Sequence, residues 1–176
     1  MADNYVEFSE VLPNLTDAEI AWLQDQLREV VVVEDQEHPV GSLPAEVEEN
    51  QATWRGARFL HNCDDVTGWG DEIEFAYAFR LDDRNGDSGR HLWIYSEQYG
   101  SVDQVAWLVQ KFLRQFRPHD IWALTYACTC SKPRIAEFGG GVVIVTADDL
   151  RWEDVQSIAE KACREWKEKN TPRSKT

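Results

Sequence analysis

Residues 128–141, CTCSKPRIAEFGGG, gather two thiols, a lysine, an arginine, a carboxylate and three glycines in one short run. Three chemistries could use it. Thiolates attack or bind metal, Lys132 and Arg134 can hold an anion, and Gly139, Gly140 and Gly141 allow backbone to approach a ligand closely. Each needs further residues elsewhere in the chain.

For a metal, Cys128 and Cys130 are two apart, so on a strand both thiols share one face, and His61 and Cys63 repeat that spacing. Three sulfurs and a nitrogen would make a zinc set. Structural zinc sites, however, usually space their ligands by two to four residues on a knuckle turn, while same-face side chains on a strand stand roughly 7 Å apart. The spacing favours core thiols, where free cysteine is commonly found. No metal or other cofactor is expected.

A nucleophilic cysteine needs a base, and His38, His61, His91 and His119 form no local signature with either thiol. Asp83, Asn85 and Asp87 alternate as in a calcium loop, but Ser88 and Ile94 stand where its glycine and glutamate belong. Asn85-Gly86 is a turn signal by itself. A phosphate loop is also out of order, because Lys132 precedes the glycines and no helix opens after them. Two readings of the run remain. One is a glycine-adapted hairpin with Glu137 paired to Arg134 or Lys132. The other is a binding loop of Lys132, Arg134, Glu137, Gly139, Gly140 and Gly141, with Glu97 and Asp103 nearby. No catalytic residue is assigned, and a non-enzyme is favoured over an enzyme using this loop.

The elements that must position this run are legible from residue 73 onward. IEFAYAFRL (73–81) alternates Ile73, Phe75, Tyr77, Phe79 and Leu81 on one face, and HLWIYSEQ (91–98) follows after a polar turn. A helix over about 101–117 carries the stripe Val105, Leu108, Val109, Phe112 and Phe116, with Ser101 as its cap and Pro118 as its stop. DIWALTYACTC and GGGVVIVTADD read as a second strand pair. WEDVQSIAEKACREWKEK reads as a closing amphipathic helix through Val155, Ile158, Ala159, Ala162 and Trp166. The order ββαββα predicts an α+β two-layer sandwich: a four-stranded antiparallel sheet with both helices on one face. Upstream, Thr16 and Glu19 form a capping box for a helix over about 17–29, with Val30 onward a short strand. Residues 36–71 read as irregular. The expected division is an acidic helical and irregular appendage over 1–72, the sandwich over 73–168, and a basic tail over 169–176.

Charge is uneven. Of the formal net charge of −14, residues 1–76 contribute 18 acids against three arginines, a balance of −15, while residues 77–176 balance at +1. No lysine precedes Lys111. Such a surface repels nucleic acid and membrane phosphates and attracts basic proteins. With 176 residues, eight tryptophans, four cysteines and no run of about 18 apolar residues, a soluble cytoplasmic protein with free thiols is expected.

The segment from HLWIYSEQYG through FLRQFRP, TYACTCSKPRIAEFGGG and VTADDLRW resembles a family of small uncharacterised bacterial proteins frequent on plasmids and phages. The TCSKPR…EFGGG portion carries the resemblance most specifically. It spans about residues 90–152 and implies a mobile-element context without implying an activity. The resulting expectation is a non-enzymatic acidic interaction protein that inhibits a host nucleic-acid-binding defence complex, of anti-CRISPR or anti-restriction type. Its partner would be a basic protein surface; no direct nucleic acid and no membrane are expected. The contact acids would be Glu34, Asp35, Glu37, Glu46, Glu48, Glu49, Asp64, Asp65, Asp71 and Glu72. The plainest alternative is a housekeeping α+β domain that is simply acidic.

Overall fold

The computed structural model describes residues 3–33, 36–39, 42, 54–61, 78–82, 89–98, 100–132 and 137–170. In chain order its elements are β1 (Asn4–Leu12), α1 (Asp17–Gln26), β2 (Glu29–Val33), β3 (Gln36–Pro39), β4 (Trp54–Ala57), α2 (Arg58–His61), β5 (Ala78–Asp82), β6 (His91–Ser96), α3 (Val102–Phe116), β7 (Trp122–Cys130), β8 (Gly139–Val145), β9 (Leu150–Asp154) and α4 (Val155–Asn170). Six strands form one antiparallel sheet in the order β5-β6-β1-β7-β8-β9, and a second sheet runs β3-β2-β4.

The class is α+β, but the expected four-stranded sheet is corrected to six strands by β1 and β9. The N-terminal segment is no appendage. β1 lies in the middle of the sheet, with Phe8 opposite Ser96 of β6 on one side and Tyr126 of β7 on the other. Val6, Phe8 and Leu12 turn toward the helices, and the alternation is interrupted only by the half-buried Glu10, which accepts from the Val11 amide at 3.0 Å. At the other edge, Trp152, Glu153 and Asp154 pair with Val143, Val142 and Gly141, so the residues expected as the first helical turn lie in a strand. Thr146 and Asp149 close the connecting turn, and Thr146 Oγ1 accepts from the Asp149 amide at 3.0 Å.

The core lies between the sheet and the pair α1–α3. Leu92, Ile94, Leu124, Val143 and Val145 from the sheet meet Leu23 of α1 and Val105, Leu108, Val109 and Phe112 of α3, all buried. Trp22 of α1 meets Phe112 and Phe116 edge-on, with ring centroids 6.0 and 5.8 Å apart. The capping box expected at Thr16 is present: Thr16 Oγ1 accepts from the Glu19 amide, and Glu19 Oε2 accepts from the Thr16 amide at 2.7 Å. Gly100 admits the α3 entry, since a Cβ there would lie 2.3 Å from the Phe8 ring. Lys111 of α3 donates to the Phe59 carbonyl at 2.9 Å and ties α2 to this layer, and Arg58 of α2 pairs with both Asp25 of α1 and Glu37 of β3.

The expectation of both C-terminal helices on one face is also corrected. α3 packs on the sheet, whereas every described residue of α4 is exposed. Among the described residues, no helix is long and apolar enough to cross a membrane.

Candidate functional site

The C-terminal half of β7 carries the thiols, and pairing fixes which way they point. Cys130 lies opposite Asn4 and Cys128 opposite Val6, so both thiols share the helix-side face with Tyr126, as their spacing predicts. Cys130 is buried and Cys128 half-buried. The Cys130 thiol donates to Glu137 Oε2 at 2.9 Å, so Glu137 closes the loop by meeting sulfur rather than only a neighbouring cation. Lys132 is exposed, and Arg134 lies outside the described residues.

The glycines answer to packing. Tyr126 lies directly opposite Gly141, and a Cβ on Gly141 would meet the Glu153 carbonyl oxygen at 2.5 Å and the Tyr126 hydroxyl at 2.9 Å. Gly140 has φ +144°, and its Cβ would lie 2.3 Å from the Tyr126 carbonyl oxygen. Only Gly139 has open space. Two of the three glycines are thus required by the β7–β8–β9 ladder, where a bare backbone lets an aromatic ring lie across the neighbouring strand.

Around Tyr126 the groups are acidic or neutral. Burial pushes its phenol up, and Cys128, Asp154 and Asp103 add to that, so Tyr126 stays a hydroxyl. Hydrogen bonds from the Ser157 hydroxyl and amide hold the Asp154 carboxyl below its ordinary range; the Ser157 amide donates at 2.7 Å. A nucleophilic thiol needs a base or a cation beside sulfur. His91 belongs to the opposite face, with its Nδ1 3.0 Å from the Gly89 carbonyl; His38 lies in the small sheet and His119 follows α3. These groups suit packing and hydrogen bonding more than bond breaking. Glu97 and Asp103 are exposed, Asp103 in the first turn of α3.

For the metal set, Cys63 lies outside the described residues, as does the His61 side chain, and among the described residues no three metal-ligating groups cluster. The Cys130–Glu137 bond uses the one partner that a zinc site would need stripped of its proton. Treating the purified protein with a chelator is accordingly expected to leave Tm unchanged, and elemental analysis to find no stoichiometric zinc. One zinc per chain would assign the thiols to a metal instead.

Of the ten acids expected at a partner surface, only Glu37 is described. It is half-buried, and Arg58 Nε donates to its Oε2 at 2.9 Å, so it joins the small sheet to α1. Glu34, Asp35, Glu46, Glu48, Glu49, Asp64, Asp65, Asp71 and Glu72 lie outside the described residues.

Two features were missed in the sequence. One is the Tyr126–Gly141 pair, whose signal is an aromatic on one strand and glycines at matching distance from the hairpin on the next. The other is the face of the large sheet opposite the helices, where Trp93 and Tyr95 stack at 4.2 Å and Trp93 Nε1 donates to Ser9 Oγ at 2.9 Å. The alternation in HLWIYS placed both rings on one side, but which side faces solvent depends on β1. No family model, curated protein or solved structure matches the chain.

Proposed function

We propose that the protein is a non-enzymatic interaction protein whose acidic N-terminal portion engages a basic protein surface, and that this surface belongs to a nucleic-acid-binding complex. The observation that carries the reading is the concentration of charge: 18 acids against three arginines in residues 1–76. Two of those arginines are engaged by acids of the same portion. Arg28 lies 3.7 Å from Asp25, and Arg58 is held between Asp25 and Glu37. A nucleic-acid channel lined with Lys and Arg gains from any regular array of anions, carboxylates included. The resemblance to plasmid- and phage-borne proteins supports the narrower reading, an inhibitor of a host defence complex.

The test is capture from host lysate at low and high salt, followed by an assay of whether captured proteins lose their DNA or RNA. Neutralising Glu48 alone, as Glu48→Gln, should cost about 0–1 kcal/mol of binding, the worth of one exposed pair. Neutralising Glu46, Glu48 and Glu49 together should slow association and flatten its salt dependence, because steering sums over charges. Replacing Lys132 and Arg134 by alanine should leave binding intact. If that loop pair abolishes binding and the acidic set does nothing, the loop is the site and the acidic surface is only solvated. Direct, salt-sensitive binding of DNA or RNA by the protein itself would overturn the reading.

A further inference from the structure

In a chain of 32 acids against 18 bases, five arginines are taken up by carboxylates: Arg28 by Asp25, Arg58 by Asp25 and Glu37, Arg90 by Asp17, Arg117 by Glu19 and Arg151 by Glu153. Lys111 and Arg114 are not. Three apart on α3, they share one side of the helix, and each is steered by a backbone carbonyl instead. Lys111 Nζ donates to the Phe59 carbonyl at 2.9 Å, and Arg114 Nε to the Ala147 carbonyl at 2.5 Å. These bonds fix both heads. They leave the other ammonium hydrogens and both Nη groups of the guanidinium without a partner among the described residues. Both cations line a groove of about 570 Å³ between α1 and α3, together with Trp22, Gln26 and Gln115. A volume of that order suits a small molecule, and no carboxylate is among the lining side chains. Trp22 supplies a flat apolar wall. Its ring is half-buried and meets Phe112 and Phe116 at 60° and 78°, so neither stacks on it, and its indole N–H donates to no group among the described residues.

We propose that this groove binds a small organic oxyanion that carries a flat apolar part. Lys111 and Arg114 hold its carboxylate or phosphate group by charge-assisted hydrogen bonds, its ring lies against Trp22, and the Gln26 and Gln115 amides add neutral donors. Every side chain of the lining offers a donor, a set that selects for an acceptor-rich ligand. The net charge of −14 repels anions from afar. At about 0.15 M salt that repulsion is screened within roughly 8 Å, so contacts inside the groove decide affinity. An ion pair in contact with water is worth little by itself, which is why the ring is part of the ligand. The site is independent of the acids assigned to a partner surface, none of which lines it.

The test follows the eight indole N–H signals of the full chain in proton–nitrogen correlation spectra, with that of Trp22 assigned by its loss in Trp22→Phe. Phenylacetate and phenyl phosphate are the probes, and the better of the two identifies the oxyanion. That probe should shift the Trp22 signal saturably, with a Kd of about 1 mM or tighter. Phenylacetamide keeps the ring without the charge, and inorganic phosphate keeps the charge without the ring. Each should bind at least tenfold more weakly than the better probe. Arg114→Gln and Lys111→Gln should each weaken that probe at least tenfold while the other indole signals keep their positions. Lys161→Gln, which removes an exposed cation from α4, should change nothing. No saturable shift of Trp22 with either probe up to about 10 mM overturns the proposal. So does phenylacetamide or inorganic phosphate binding as tightly as the better probe, which would leave a ring or a charge alone as the determinant. A loss in Lys161→Gln equal to that in Arg114→Gln would mean diffuse charge in place of a groove, and likewise overturn it.

Discussion

Arg117→Met is expected to destabilise the protein by about 3 kcal/mol at neutral pH, since it leaves a buried carboxylate without its cation. Arg117 follows α3 and reaches back across the molecule. Its Nε donates to Glu19 Oε1 at 2.6 Å and its Nη2 to Glu19 Oε2 at 3.1 Å, while the remaining donors satisfy the Pro13 and Asn14 carbonyls at 3.0 Å. The guanidinium also stands 5.1 Å from the centre of the Phe112 ring. One side chain thus joins β1, α1 and α3. Burial by itself raises the Glu19 carboxyl, but the hydrogen bonds from Arg117 and Thr16 outweigh it and hold the group below the ordinary carboxylate range. A depressed folded pKa adds stability that is complete above the unfolded value and lost as pH falls through the folded one. In Arg117→Met, burial is left with less opposition and Glu19 protonates more readily. The gap between parent and variant is therefore widest above the ordinary carboxylate range and narrows as pH falls through that range. Urea denaturation at several pH values measures this directly. A gap independent of pH would mean that Arg117 acts through packing on Phe112 and the two carbonyls, and not through Glu19.

What the sequence disclosed about this fold follows from where each residue's partner lies. α1 and α3 were legible because their caps and stripes are local: Thr16 with Glu19, Ser101 with Gln104, and Val105 through Phe112 on one face. β6, β7 and β8 were legible by alternation and by their hairpin spacing. β1 was not, because Glu10 interrupts its alternation and its partners lie 80 or more residues away. Alternation reports a half-buried strand, but it does not report which strands flank it. β9 was missed for a different reason. Trp152 and Val155, three apart, fit a helical stripe as well as a strand ending in a cap, and only the pairing of Trp152 with Val143 decides between them. The fate of α4 was out of reach, since amphipathicity states that a helix needs cover and not which surface provides it. Of the candidate loop, the shared face of the thiols was legible, while the Cys130–Glu137 bond needed the geometry of the turn.

The glycines of the loop yield the sharpest division between neighbours. Gly139→Ala is expected to change stability by less than about 0.5 kcal/mol, because nothing lies within 4 Å of the added carbon. Gly140→Ala is expected to cost about 3 kcal/mol, since it combines a backbone conformation at φ +144° that side chains avoid with a clash against a carbonyl oxygen that cannot turn away. Gly141→Ala should fall between, at about 2 kcal/mol. Part of its clash is with the Tyr126 hydroxyl, which can shift, and part is with the Glu153 carbonyl, which belongs to the ladder. Tyr126→Phe should therefore recover some of the loss at Gly141 and none at Gly140, a non-additivity that a double-mutant cycle reads. The same variants separate a ladder from a ligand site. If the glycines serve the sheet, the stabilities of Gly139→Ala, Gly140→Ala and Gly141→Ala alone rank the three, and partner binding by the folded fraction is unchanged throughout. If Gly139→Ala, sterically free and thermally silent, abolishes binding, the backbone at the mouth of the hairpin is touching something, and the run from Cys128 to Gly141 is a recognition loop built on a structural ladder.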